Sequence, residues 1–167
     1  MECGSRKDKK NPGREMNTFS RDLEFGEFYE RLVIAHFNYD LVRKMPGKFS
    51  AFDYICVKGN EIVLREIKAD RLASETGNIV IEFRSRGKAS GIDVTHADYW
   101  TYCVIGDNEE VDVYDIPVFF LKKAIKEQQF TEIKWGGEDS FLFVFPITFF
   151  SPFLLNLNKP YDGSRTG

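Results

Sequence analysis

A chain of 167 residues with 43% hydrophobic and 29% charged side chains suits one domain around one substantial core, and its composition excludes intrinsic disorder. A formal charge of −3 excludes a generally basic coat that binds nucleic acid by bulk charge, and leaves room for a local basic surface. The start has no apolar leader, and the greasiest stretch, Phe141 to Leu155, is interrupted by Pro146, Thr148, Ser151 and Pro152; a soluble, cytoplasmic protein without a membrane span is expected.

In chain order, residues 1–18 are polar, carry Arg6, Lys7, Lys9, Lys10 and Arg14, and hold Asn-Pro-Gly at 11–13. They read as a disordered arm or expression remnant ahead of a single domain at 19–157 and a flexible tail at 158–167. Arg21 to Phe37 repeats Phe25, Phe28, Tyr29, Leu32, Val33 and His36 at helical spacing, predicting a helix with one apolar stripe. Strands are predicted at Tyr39–Lys44, Ala51–Lys58 and Glu61–Ala69, the last two joined by a tight turn at Gly59-Asn60. Another is predicted at Asn78–Arg84, followed by a loop from Gly87 to Gly91. Thr95 is placed to cap a short helix, Tyr102–Ile105 and Val111–Tyr114 to form a hairpin, and Asp115 with Pro117 to open a helix reaching about Gln128. Thr131–Trp135 and Phe141–Phe145 are late strands. The Phe-rich segment 141–155 serves either the core or a homodimer interface. The order points to an α/β or α+β fold, a mixed sheet flanked by helices.

Cys3, Cys56 and Cys103 form no CxxC pair, which fits a reduced compartment. With His36 and His96 as the only histidines, a hard metal held by oxygen is favoured over zinc.

The chemistry concentrates at Asp53, Glu66 and Lys68. Residues two apart in a strand share a face, so Glu66 and Lys68 point one way and Ile67 the other. The turn at Gly59-Asn60 sets position 53 across from position 66, with β-carbons about 5 Å apart. Two carboxylates that close repel unless a cation lies between them. Mg²⁺ or Mn²⁺ would be that cation; it would polarise a phosphodiester and lower the pKa of a bound water, which Lys68 could orient. Glu132-Ile133-Lys134 repeats the local pattern as a decoy, since no hairpin brings Asp112 or Asp115 to it.

Asp53, twelve residues, then Glu66-Ile67-Lys68 resembles the PD-(D/E)XK nuclease superfamily, with Phe52 where the motif name has proline. The order of elements over residues 21–126 is similar to that family's αβββαβ core. The resemblance implies a metal-dependent DNA endonuclease, with the Ile67 carbonyl as a third metal ligand and a helix glutamate turned into the site. Glu30 is favoured for that glutamate over Glu27. Residues 76–82, 88–92 and 97–100 are similar to small phage-encoded members, implying recombination, repair or other DNA processing in a host cytoplasm. Glu82 is a further candidate ligand, or the partner of Arg84 or Arg65.

Arg65, Arg84, Arg86 and Lys88 form a basic cluster suited to phosphates, joined by the Ser90-Gly91 amides and by Tyr99 as a stacking surface. Arg71 belongs to the same cluster. Two other functions stay open: an inactive nuclease-like module that binds nucleic acid, and a viral-type RNA endonuclease, which would require a histidine ligand that only His36 could supply.

Overall fold

A computed structural model describes residues 12–47, 49–137 and 139–157. The expected tail at 158–167 and the first eleven residues of the expected arm lie outside them. The remainder of that arm is helical: α1 runs Pro12–His36, with proline at the first helical position, where its missing N–H costs nothing.

The chain then builds a six-stranded mixed sheet in the order β1-β2-β3-β6-β7-β10. Its strands are β1 (Leu41–Lys44), β2 (Tyr54–Lys58), β3 (Glu61–Asp70), β6 (Tyr99–Ile105), β7 (Val111–Pro117) and β10 (Leu154–Leu155). Strands β1, β2 and β3 form an antiparallel meander, and β6 lies parallel to β3, with Glu66 beside Trp100 and Lys68 beside Tyr102. Gly59 takes φ +60°, which suits the first position of a two-residue hairpin turn, and the pairs Lys58 with Glu61 and Tyr54 with Arg65 follow from it.

A second sheet, which the sequence reading lacked, has the order β5-β4-β9-β8. It is made of β4 (Asn78–Ser85), β5 (Lys88–Ala89), β8 (Glu132–Trp135) and β9 (Phe141–Pro146). The segment expected as a loop at 87–91 thus contains a short strand. Among the described residues the sheets are joined by two further α-helices, α2 (Leu72–Thr76) and α3 (Val118–Lys126), and by 3-10 turns at Gly91–Asp93 and Ile147–Phe153. The helix expected to open at Asp115 begins three residues later, because residues 111–117 pair with β6 throughout. No helix follows Thr95; its hydroxyl donates to the Ala51 carbonyl and accepts the amide of Ala97.

Alternation along the strands divides the apolar side chains between two cores. On one face of the large sheet, Tyr29 and Val33 of α1, with Phe37 just beyond its end, pack over Cys56, Ile67, Cys103 and Val113. The buried stripe therefore repeats every four residues, and Phe28, which was expected on it, is 60% exposed. Each large side chain buried there is worth roughly 1.5–3 kcal/mol. On the other face, Trp100, Tyr102, Tyr114 and Ile116 meet Ile79 and Ile81 of β4, Phe143 and Phe145 of β9, and Leu121 of α3. Residues 141–155 thus supply core: Phe143, Val144, Phe145 and Phe150 are buried. Among the described residues, no helix is long and apolar enough to cross a membrane.

Candidate active site

Asp53 sits immediately before β2, tied to both neighbouring strands through its backbone. Its amide donates to the Arg65 carbonyl at 2.8 Å and its carbonyl accepts the Met45 amide at 2.7 Å. The side chain is held as well, Oδ2 accepting the amide hydrogen of Ile67 at 2.9 Å. Burial raises the Asp53 pKa, the Ile67 hydrogen bond opposes that rise, and Glu30 adds to it.

Glu66 is half-buried, and burial together with the Asp53 charge pushes its carboxyl up to about 8. It has no hydrogen-bond donor among the described residues. Lys68 is exposed, near enough to draw both carboxyl groups downward and ion-paired with neither. The structure therefore brings together all three residues of the expected set.

Glu30 joins them from α1. Its Oε2 accepts from Lys44 Nζ at 2.8 Å and from the Tyr54 hydroxyl at 2.7 Å, whereas Glu27 reaches the same lysine at only 3.5 Å. Burial pulls the Lys44 pKa down, but the hydrogen bonds and charges of Glu30 and Glu27 together outweigh this and the net shift is upward. The Tyr54 hydroxyl is held protonated by burial and by the glutamate it serves. Lys44 and Tyr54 were not singled out from the sequence. Their signal was the β1–β2 register, which pairs them directly and so sets a lysine one residue away from Asp53.

Other expected residues lie elsewhere. Arg65 is 1% exposed and cannot present its charge to a phosphate. Period two predicts this, since it points opposite to Glu66 and Lys68. Its guanidinium donates to both carboxylate oxygens of Asp115, to Thr101 at 2.9 Å and to the Tyr39 hydroxyl at 2.6 Å, and lies 3.7 Å from the centre of the Phe37 ring. Tyr99 is half-buried, its ring centre 4.7 Å from the same guanidinium, so this face already stacks on protein. Arg71 stacks at 3.8 Å over Phe25.

Glu82 belongs to the second sheet, where its carboxylate accepts from Ser90 Oγ at 2.5 Å and Ser140 Oγ at 3.0 Å; it pairs with neither Arg84 nor Arg65. The Ser90 amide donates to the Phe83 carbonyl, which takes it away from any phosphate. Gly91 has a structural reason of its own, since a β-carbon there would sit 2.1 Å from the Glu82 carbonyl oxygen. Arg84, Arg86 and Lys88 are exposed around the β4–β5 turn. Burial lowers the His36 pKa, and the charge of Asp115 opposes that shift.

The decoy is accounted for by pairing. Glu132 and Lys134 lie across from Val144 and Leu142, so no carboxylate faces them along the sheet.

As to metal capacity, no three His, Cys, Asp or Glu side chains among the described residues are grouped to hold an ion. Asp53 and Glu66 nonetheless offer free carboxylate oxygens of the hard type that Mg²⁺ prefers, and Mg²⁺ usually takes only one or two protein carboxylates and fills its remaining positions with water and substrate. The donor chemistry fits. The chain matches no protein-family model and no curated protein.

Proposed function

We propose that this chain is a Mg²⁺- or Mn²⁺-dependent nuclease, a DNA endonuclease of the PD-(D/E)XK type, with Asp53, Glu66 and Lys68 at its centre. The observation that carries this reading is the half-buried Glu66 carboxyl, raised to about 8 by burial and Asp53 and without a hydrogen-bond donor among the described residues. A structural carboxylate buried to that degree is ordinarily paired. One poised beside a second carboxylate, with a lysine next on the same face, suits a site that gains its cation with its substrate.

The strand order lends further support. The helix α1, the meander β1-β2-β3 and a parallel neighbour for β3 agree with the arrangement that the motif implies. The crossover departs from it, since α2 has only five residues and β4 and β5 stand between it and β6.

A bound divalent ion would polarise the scissile phosphate and supply a water of lowered pKa. The chain's own residues do the remainder. Asp53, locked by the Ile67 amide, and Glu66 hold the oxygen ligands in place, with the Ile67 carbonyl as the remaining protein candidate. Lys68, uncommitted to either carboxylate, orients the attacking water or meets the developing phosphate charge. Glu30 is restrained by Lys44 and Tyr54 at the edge of the site, where Lys44 compensates its charge. Arg84, Arg86 and Lys88 are left as the basic surface for the nucleic-acid backbone.

Incubation of the protein with single-stranded, duplex and branched DNA and with RNA, in Mn²⁺ and in EDTA, tests the reading. Cleavage in Mn²⁺ that EDTA abolishes is expected. Equal cleavage in EDTA, or none on any substrate, overturns it.

A further inference from the structure

Glu132 and Lys134, left idle by the active site, line a cavity of about 340 Å³ together with Asp70. Asp70 ends β3 and lies on the same face as Glu66 and Lys68, since the three alternate. Asp70 is four residue steps along the strand from Glu66, about 13 Å at the usual rise. One lining residue of the cavity is therefore separated from Glu66 by a distance that a single nucleic-acid strand could bridge.

Its chemistry is specific. The floor is aliphatic, formed by Val80, Leu142 and Val144. Trp135, at its edge, is 64% exposed, an unusual position for an indole without a ligand. Asn78 also lines it, and because its amide nitrogen donates to the Thr76 carbonyl at 2.8 Å, its oxygen is the atom left to accept from a ligand. The Asp70 carboxylate is fully engaged, by the amides of Leu72 and Ala73 and by the Tyr102 hydroxyl. Asp70 and Glu132 together disfavour an anion inside the cavity, while Lys134 offers one a place at the side. A flat neutral group bearing an amino donor, carried on a phosphate, meets all of these conditions.

We propose that this cavity is a nucleobase subsite: it takes one base of the strand whose phosphate lies at Asp53 and Glu66, with Trp135 as stacking surface, Asn78 as acceptor and Lys134 toward the adjoining phosphate. The assignment rests on the nuclease reading. Its volume lies within the range of ordinary ligand pockets, and stacking of a base on an aromatic side chain is worth about 1–3 kcal/mol.

Calorimetric titration of the intact protein in EDTA with dAMP, with dTMP and with inorganic phosphate tests the pocket without catalysis. Nucleotide binding without phosphate binding is expected, weakened at least about tenfold in Trp135→Ala and in Thr76→Trp, which narrows the cavity from the exposed side of α2. Absence of nucleotide binding at millimolar concentration, equal binding of phosphate, or affinity unchanged in both variants overturns the proposal. A protein that cleaves DNA in Mn²⁺ yet shows any of these results loses the subsite and keeps the nuclease. One that binds nucleotide through Trp135 and never cleaves keeps the subsite and loses the nuclease.

Discussion

The Asp53 carboxylate accepts the amide hydrogen of Ile67 at 2.9 Å, which fixes it to the residue that separates Glu66 from Lys68. One side chain thereby sets the relative position of all three groups, because β3 carries the other two at alternate positions. The hydrogen bond also works against protonation of Asp53, so the neighbouring Glu66 takes the larger upward shift.

That shift predicts how metal affinity depends on pH. Glu66 must lose its proton to ligate, so Mn²⁺ affinity should rise with pH up to about 8 and level off above it. The sign for stability is opposite. Between 4.5 and about 8 the folded protein holds a proton that the unfolded chain releases, so the stability associated with neutral Glu66 is present below 4.5 and lost as pH rises to about 8. Thermal midpoints from pH 4 to 9 should show a downward contribution that Glu66→Gln removes and Mn²⁺ counteracts at the alkaline end. A Glu66→Gln protein with the wild-type pH profile would contradict this.

Lys68 separates a catalytic site from a structural one. Lys68→Ala should cost on the order of a hundredfold or more in cleavage rate, with a thermal midpoint close to that of the parent, since the side chain is exposed and outside any ion pair. Lys123→Ala, whose partner is Glu127 at 3.9 Å on α3, serves as the control and should cleave normally. Near-normal turnover by folded Lys68→Ala would remove the lysine from the mechanism.

Arg65 and Asp115 should behave in the reverse way. Asp115→Ala strands a buried guanidinium and should cost about 3–5 kcal/mol of stability in denaturant unfolding. Arg31→Ala, which breaks an ion pair whose arginine is 79% exposed, should change stability by less than about 1 kcal/mol. Comparable losses in the two variants would mean that the Arg65 pair is not the interior fixture described.

The arrangement of the candidate residues was legible wherever its determinants were local. Gly59-Asn60 fixed the hairpin, the hairpin set Asp53 opposite Glu66, and period two separated Lys68 from Ile67. Glu30 could be ranked above Glu27, and the geometry gives it the closer contacts. What escaped was non-local. Asn78–Ser85 and Phe141–Pro146 each alternate as strands, but nothing in either segment announces that they pair with each other rather than with the large sheet. Asp115 followed by Pro117 has the chemistry of a helix start, and pairing with β6 overrode it. Arg65 was assigned by residue type, although its phase along β3 already pointed it inward. Lys44 was visible as the end of a strand and lacked only the register that brings it to Glu30.

The two sheets are interleaved along the chain. Residues 78–89 and 132–146 make one, while 41–70, 99–117 and 154–155 make the other. The hairpin of residues 54–70 closes locally and can form early, whereas the wall opposite Trp100 and Tyr102 requires β9 to return to β4 across more than fifty residues. During synthesis the acidic hairpin would therefore emerge well before the layer that encloses it. A partly made chain would thus carry the Asp53–Glu66 pair without the β4–β9 layer.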